Sequence, residues 1–252
     1  MKTRTMNPFS TMLAILLVVL LTLGGGVGLA EAAQVLEATD SLPDDAGAAA
    51  AVAPDAADEA ARAAAIADRI YAAAAQEETT VTPLLQSLEN DSIHLTGLEH
   101  RQKTPESIAR KLLLNAHDME IDLEEAVDAL YDALRYTFII DDDQYISGTD
   151  AILKTLAEQG YQVEYFRNTW GNDGYKGINT NLRTPGGYLF EIQFHTQDSF
   201  ETKEDKTHAL YEIVRSETST EAEKLEANAK QRELFAAVPV PEGAVGYTWN
   251  DH

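Results

Sequence analysis

The feature that most constrains the fold of this 252-residue chain is residues 188–195, where apolar and polar side chains alternate. The segment Thr184-Pro185-Gly186-Gly187 precedes it and predicts a tight turn, because proline presets φ and glycine accepts a positive φ. Since side chains on a strand alternate between two faces, residues 188–195 predict a β-strand with one core face. The core face comprises Tyr188, Phe190, Ile192 and Phe194, and the opposite face comprises Leu189, Glu191, Gln193 and His195.

The polar face of this strand has two interpretations. An antiparallel strand with one solvated face shows the same alternation without any function. A carboxylate, an amide and an imidazole in a row are also the groups expected in a catalytic or binding site. The choice depends on which other residues could join this face.

The remaining patterns predict a mixed β-sheet flanked by helices, which is the α/β (α+β) class. The hydrophobic content of 44% is sufficient for a core. We find no P-loop, GxGxxG or HExxH motif. Helices are expected at 58–76, 84–88, 105–116, 123–133, 147–159, around 203–212 and at 218–236, and strands at 93–97, 134–140, 161–166 and 188–195.

Residues 1–33 have the layout of an export signal. Lys2 and Arg4 form a positive n-region, residues 12–23 are apolar, and Ala30-Glu31-Ala32 fits small-x-small cleavage. If it were not cleaved, this segment would instead serve as a membrane anchor. In both cases we expect the body outside the cytoplasmic membrane, extracellular or in the cell envelope. The low-complexity segment 34–57 predicts a disordered linker.

The net charge restricts the partners of the protein. It is −23, and removal of residues 1–33, which carry two cations and one anion, makes it −24. Such a surface repels phosphates, so general nucleic-acid binding is not expected, and membrane contact is expected only through an uncleaved residue 1–33 segment. A phosphate site must therefore be a local basic pocket. The absence of cysteine excludes disulfides and thiolate chemistry.

A basic cluster at one helix start is the candidate for such a pocket. Thr104 is the expected N-cap, with proline at the next position, so free N–H groups and the helix dipole face an anion there. Arg101 and Lys103 precede the cap, and Ser107 and Lys111 share one helix face. The alternative is a solvated basic surface.

Two acids are candidate metal ligands. Asp128 and Asp132 are four residues apart in the predicted helix 123–133, so their carboxylates would point the same way and could hold a hard divalent cation. The alternative is ordinary helix-surface charge.

Four motifs of this chain resemble those of RelA/SpoT-type alarmone synthetase domains and follow the same order along the sequence. In that family they are the opening signature, the GYxSxH loop, the ExQIRT strand and the closing HWxYK. The resemblance covers about residues 77–215, within a domain placed at 58–216 and followed by a C-terminal helix and tail at 217–252. In this chain the motifs are Arg101-x-Lys103-x-x-x-Ser107-Ile108-x-x-Lys111, Gly174-Tyr175-Lys176-Gly177-Ile178-Asn179, Glu191-Ile192-Gln193-Phe194-His195-Thr196 and His208-Ala209-Leu210-Tyr211.

The resemblance implies a nucleotidyltransferase-like fold that moves pyrophosphate from ATP to the 3′-hydroxyl of an acceptor nucleotide or tRNA, with Mg²⁺ as cofactor. If the roles of the family residues apply here, Arg101, Lys103 and Lys111 would hold the ATP phosphates, with Ser107 beside them. Leu134-Arg135, followed by a hydrophobic strand, also resembles the family, and by this resemblance Arg135 would contact ATP.

The same resemblance assigns the acceptor and metal side. Asp132 or Asp128 would bind Mg²⁺, and Glu191 would bind metal or act as general base. Tyr175 would stack on the acceptor base. Gln193 would be catalytic together with Glu191 and shape the site with His208, and Asn179 and His195 would bind the nucleotide.

The chain departs from the family pattern at three residues, and the upstream aspartate does not lie at the usual distance from Arg135. Gly177 replaces the loop serine, Asn179 the loop histidine, and His195 the strand arginine. There is no HD-type hydrolase signature. We therefore hypothesise an exported pyrophosphotransferase, acting in (p)ppGpp-type guanosine tetraphosphate metabolism or as a toxin. The alternative hypothesis is a catalytically silent domain of the same fold that binds at the cell envelope.

Overall fold

The structure is a computed structural model that describes residues 54–216 and 218–249. The predicted export segment, residues 1–33, and nearly all of the predicted linker lie outside the described residues. Within the described ranges, no helix combines the length and apolar character needed to cross a membrane.

A five-stranded mixed sheet forms the centre of the described part, which confirms the predicted α+β class. Strands β2 and β5 run parallel, and every other neighbouring pair is antiparallel. The order across the sheet is β1-β2-β5-β4-β3. The strands are β1 (Ile93–Thr96), β2 (Arg135–Ile140), β3 (Gln162–Asn168), β4 (Ile178–Arg183) and β5 (Leu189–His195).

Helices cover the sheet and extend from it. A π-helical turn, Thr202–Lys206, joins the fifth α-helix to the sixth, and short 3-10 turns lie at Leu98–His100 and Asp142–Gln144. The α-helices of the described part are α1 (Pro54–Gln86), α2 (Pro105–Met119), α3 (Leu123–Asp128), α4 (Tyr145–Glu158), α5 (Gln197–Glu201), α6 (His208–Arg215) and α7 (Glu221–Ala236).

Local signals in the sequence place several boundaries correctly. Thr104 caps α2, where its hydroxyl accepts a 3.3 Å hydrogen bond from the Ser107 N–H. The predicted turn before β5 forms, because the Gly187 N–H donates to the Thr184 carbonyl at 2.8 Å and Gly187 has a φ of 94°.

Helices α1 and α3 differ from the prediction, and the helix expected around 203–212 is divided into the π-helical turn and α6. Helix α1 continues through Pro83 and unites the two expected helices, because Val81 and Leu85 extend its buried stripe past the proline. Helix α3 ends at Asp128 instead of residue 133. The reason is that residues 133–135 are extended and pair with 101–103 through the bonds Lys103 N–H to Ala133 O and Arg135 N–H to Arg101 O.

The predicted core face of β5 is confirmed, and of the two interpretations of its opposite face, a solvated surface is wrong. Phe190, Ile192 and Phe194 are fully buried in the main core. On the other face, Glu191 is only 5% exposed and His195 is 0% exposed. Because β5 lies between β2 and β4, with loops and helices covering its polar side, both of its faces are interior.

The C-terminal tail packs against β3. The Asn168 side-chain amide donates to the carbonyls of Ala244 and Tyr247, at 2.7 and 2.9 Å. The Tyr247 ring lies edge-on to Phe166, and its hydroxyl donates to Asp150. This part of the chain is therefore attached to the sheet.

Candidate active site

The register of the sheet brings charged side chains together. Arg135 of β2 lies beside Glu191 of β5, and Asn179 of β4 lies beside Gln193. These side chains alternate with core residues such as Ile192, so they emerge on the face opposite the core. The polar face of β5 thus collects groups from three strands.

Asp132 lies between two lysines at the edge of this face. Its carboxylate accepts a hydrogen bond from Lys111 at 2.7 Å and forms an ion pair with Lys103 at 3.1 Å. Burial opposes ionisation of Asp132, but the two ammonium groups outweigh it, so its pKa is lowered. The pKa of Lys103 is lowered by burial and by Arg135 and Lys111, against the attraction of Asp132. Without ligand, these three side chains form a compact ionic cluster.

Glu191 is the second acid of the site, and its environment is less favourable to charge. Burial is the main reason that its pKa is raised, and the charge of Asp132 raises it further. Arg135 and Lys111 act in the opposite direction. The carboxylate also accepts a 3.4 Å hydrogen bond from the Asn179 amide. A buried carboxylate with a raised pKa is a suitable proton acceptor near neutral pH.

Arg135 is the cation at the centre of the face. Its charge affects the pKa values of Glu191 on β5 and of Lys203 and Glu204 on the π-helical turn. Within residues 54–216 and 218–249, its guanidinium makes no hydrogen bond or ion pair. It is therefore free to bind an anionic ligand.

Arg101, predicted to hold ATP phosphates, points elsewhere. Its guanidinium pairs with Glu78 of α1 and donates to the carbonyl of Leu98. The pKa of Arg101 is raised mainly by its hydrogen bond to Glu78. Tyr136, which belongs to the core side of the sheet, also acts on the pKa of Arg101. The structure therefore does not bring Arg101 together with Lys103 and Lys111.

Tyr175 is turned inward. Its hydroxyl lies 2.8 Å from Asn179 Oδ1 and 2.9 Å from His195 Nε2. Its ring packs edge-to-face against His195 and against Phe235 of α7. The hydroxyl is thus engaged inside the protein, and stacking of this ring on an acceptor base stays a prediction.

Lys203 is a site residue that the sequence analysis placed on a helix without a role. Its ammonium group donates to Gln193 Oε1 at 3.2 Å and pairs with Glu204 at 2.5 Å. Burial, then repulsion from Arg135, lowers its pKa against the attraction of Glu204. The π-helical turn changes the residue spacing, so a 3.6-residue period could not place Lys203 on this face.

The other predicted residues lie at the edge of the candidate site or outside it. Asp128 is exposed at the end of α3, so it does not share a helix face with Asp132, and the i, i+4 premise is wrong. Ser107 is half-buried in the first turn of α2, one helical turn before Lys111. His208 is exposed at the start of α6, where its charge acts on Glu204.

The donor set on this face fits Mg²⁺ bound together with a nucleotide. In the described ranges, no three histidine, cysteine, aspartate or glutamate side chains are arranged to hold a metal by themselves. Asp132 and Glu191 nevertheless repel each other, since Asp132 raises the pKa of Glu191. Mg²⁺ characteristically takes one or two protein carboxylates and completes its shell with water and substrate phosphates. Asp132 and Glu191 could supply the one or two protein carboxylates of such a site.

Comparison with known proteins yields similarity only at the level of structure. No protein-family model matches the sequence, and no curated protein matches it. One similar structure is the complex between the Type VI effector Tas1 and its immunity protein, at 20% identity and a TM-score of 0.48, covering 68% of this chain and 94% of that chain.

Alarmone synthetases are also among the similar structures. Small alarmone synthetase 1 from Bacillus subtilis, bound to its product pppGpp, matches at 17% identity and a TM-score of 0.45, over 66% of this chain and 88% of that chain. A GTP pyrophosphokinase family protein from Streptococcus pneumoniae matches at 17% identity and a TM-score of 0.41, over 65% and 83%. This is the class of protein that the motifs resemble, and the similarity concerns the fold alone.

Proposed function

We propose that this protein is a pyrophosphotransferase that moves pyrophosphate from ATP to the 3′-hydroxyl of an acceptor nucleotide. The observation that carries the proposal is the convergence of Lys103, Lys111 and Arg135 on the two acids Asp132 and Glu191. In a chain with a net charge of −23, these three cations, joined on the same face by Lys203, would form a local phosphate site. Transfer of phosphoryl groups depends chiefly on such positioning and charge stabilisation.

ATP binding would use the cations of the ionic cluster. The triphosphate would replace Asp132 as the partner of Lys103 and Lys111. Asp132 would then be released to hold Mg²⁺, with Glu191 on the other side of the face. Arg135, which has no partner of its own among the described residues, would contact the phosphates directly.

The reaction needs one proton acceptor. The acceptor 3′-oxygen would form a bond to the β-phosphorus of ATP while the bond from that phosphorus to the α,β-bridging oxygen breaks and AMP leaves. The hydroxyl proton would pass to the carboxylate of Glu191, whose raised pKa suits this role. When bound, Mg²⁺ would supply charge neutralisation at the phosphates.

The competing function is a catalytically silent binding module. It is favoured by the two predicted nucleotide residues that are otherwise engaged: Arg101 by Glu78, and His195 by Tyr175. This alternative requires ATP or another anion to bind without any transfer. Export to the envelope or the exterior is proposed for both functions and rests on residues 1–33 alone; secretion into a neighbouring cell would give access to ATP.

The proposal is tested by incubating the full chain with Mg²⁺, labelled ATP and a panel of acceptors: GDP, GTP, AMP, ADP and tRNA. We expect a pyrophosphorylated product with at least one acceptor and its loss in Glu191→Gln. The matched control is Glu164→Gln, which changes an exposed glutamate paired with Arg183. Binding of ATP without product would favour the silent module, and neither binding nor product would refute the nucleotide site.

A further inference from the structure

A continuous series of hydrogen bonds approaches Glu191 from inside the protein. We name Ser199, His195, Tyr175 and Asn179 the Tyr175 network. Ser199, in the first turn of α5, is buried, and His195 is fully buried. The successive distances are 2.8 Å from Ser199 Oγ to His195 Nδ1, 2.9 Å from His195 Nε2 to Tyr175 Oη, 2.8 Å from Tyr175 Oη to Asn179 Oδ1, and 3.4 Å from Asn179 Nδ2 to Glu191 Oε1.

The network has one consistent set of donors when Glu191 is ionised. The Asn179 NH₂ group must face the Glu191 carboxylate, since an amide oxygen there would be repelled, so Asn179 Oδ1 faces Tyr175. Two oxygens 2.8 Å apart need a proton between them, and the Tyr175 hydroxyl supplies it. Tyr175 then has no proton for His195. Nε2 of His195 must carry the hydrogen, and Nδ1 must accept from the Ser199 hydroxyl.

The surroundings keep His195 neutral, as this arrangement requires. Burial lowers its pKa well below the usual value, and the charges of Lys203 and Arg135 add to that effect. A neutral imidazole has one N–H, so its tautomer is determined by its two neighbours. Tyr175 and Ser199 therefore select a single tautomer.

The three departures from the family motifs coincide at the Tyr175 hydroxyl. Asn179 and His195 are its two hydrogen-bond partners. A Cβ atom at Gly177 would lie 3.1 Å from Tyr175 Oη and 3.1 Å from His195 Cε1. The absence of a side chain at Gly177 thus leaves space for the contact between the Tyr175 hydroxyl and the imidazole. Gly177, Asn179 and His195 therefore act as one structural unit.

We propose that the Tyr175 network is a positioning device for Glu191. His195 and Tyr175 fix the orientation of the Asn179 amide, and that amide holds the carboxylate of Glu191 on the face shared with Arg135. The network is a property of the protein without ligand. Only the consequence for catalysis rests on the proposed function.

The test is the tautomer of His195, measured by ¹⁵N NMR at constant pH near neutrality in the full chain with labelled histidine. Through-bond correlation to the backbone assigns its ring nitrogens. We expect a protonated Nε2 and an unprotonated Nδ1 in the wild type. In Tyr175→Phe, Nε2 loses its acceptor, and the Ser199 hydroxyl can turn to the Thr196 carbonyl at 3.2 Å. The hydrogen should therefore move to Nδ1.

The matched control is Tyr247→Phe, which removes a tyrosine hydroxyl bonded to Asp150 on the other side of the sheet. It should leave the His195 tautomer unchanged. A wild-type Nδ1–H tautomer, or an unchanged Nε2–H tautomer in Tyr175→Phe, would overturn the proposal. If Tyr175→Phe folds poorly, the His195 tautomer in the wild type is sufficient by itself to test the proposal.

Activity gives a separate readout. If transfer is observed, Tyr175→Phe should lower kcat at least several-fold with little change in the KM for ATP, because it misplaces Glu191 without touching the phosphates. A selective rise in KM would contradict a positioning role. Absence of transfer in the wild type, with the expected tautomers, would refute the proposed function and leave the network intact.

Discussion

The carboxylate of Asp132 lies 2.7 Å from the ammonium group of Lys111, and this contact joins α2 to the loop before β2. Both side chains are largely buried, at 13% and 27% exposure. We predict that Lys111→Gln lowers the free energy of unfolding by roughly 1.5–3 kcal/mol, the usual value for a hydrogen bond between charged groups. Urea denaturation at neutral pH measures this change.

The control for Lys111→Gln is Arg69→Gln. Arg69 and Glu124 form an ion pair of similar length, 3.0 Å, but their side chains are 66% and 63% exposed. Solvent screening limits such a pair to about 0–1 kcal/mol. If the free energy of unfolding falls equally in the two variants, burial of Asp132 does not strengthen its contacts.

Substitution of Arg135 should affect ligand binding without affecting stability. Because its guanidinium has no partner among the described residues, Arg135→Ala should change the unfolding midpoint little. It should weaken ATP binding roughly 10- to 150-fold, which corresponds to the loss of about 1.5–3 kcal/mol for a charged hydrogen bond. Isothermal titration with ATP and Mg²⁺ measures the effect. Arg183→Ala, which changes an arginine already paired with Glu164, should bind ATP normally; an equal loss there would indicate a nonspecific charge effect.

Buried His195 predicts a specific pH dependence of stability. Its pKa is lowered in the folded state, so the unfolded state binds more protons once the pH falls below the unfolded value of about 6.5. This contribution is therefore complete above that pH and declines as the pH falls toward the folded pKa. The raised pKa of Glu191 acts in the opposite sense and favours folding as the pH falls.

The difference between wild type and His195→Gln reports on the histidine, because the substitution removes the imidazole that titrates in the unfolded state. Between pH 7 and pH 5, the wild type should lose stability relative to the variant in urea denaturation series. A constant difference over this range would mean that His195 is not kept neutral by the fold.

Gly177 and Gly174 provide a comparison within one loop. A Cβ at Gly177 would meet three atoms at 3.1 Å, whereas a Cβ at Gly174 would meet none within 4 Å. Gly177→Ala should therefore destabilise the protein by about 1–3 kcal/mol, the usual cost of overpacking. Gly174→Ala should have a much smaller effect. Similar thermal unfolding midpoints for the two variants would contradict the close approach at Tyr175.

Local patterns predicted much of the fold. The alternation of Phe190, Ile192 and Phe194 identified the core strand, and Thr104 located the start of α2. Strand β4 was missed because Asn179 and Asn181 are poor strand formers, and their pairing with β5 supplies the stability that propensity does not. Burial of the polar face of β5 could not be predicted either, since it depends on which elements cover the strand.

The sequence predicted most of the residues that form the site, but fewer of the contacts that these residues make. Lys103, Lys111, Arg135 and Glu191 do share one face. The pairing of Arg101 with Glu78 depends on the extension of α1 beyond the expected end, and the entry of Lys203 depends on a π-helical turn. Long-range packing decides both, and neither leaves a periodic signal in the sequence.

The most direct test of the central claim identifies the nucleotide that ATP leaves behind. Attack on the β-phosphorus transfers an intact pyrophosphate, so chromatography of a reaction with Mg²⁺, ATP and a competent acceptor should show AMP and the 3′-pyrophosphorylated product in a one-to-one ratio. Release of ADP instead of AMP, or consumption of ATP independent of any acceptor, would contradict the account.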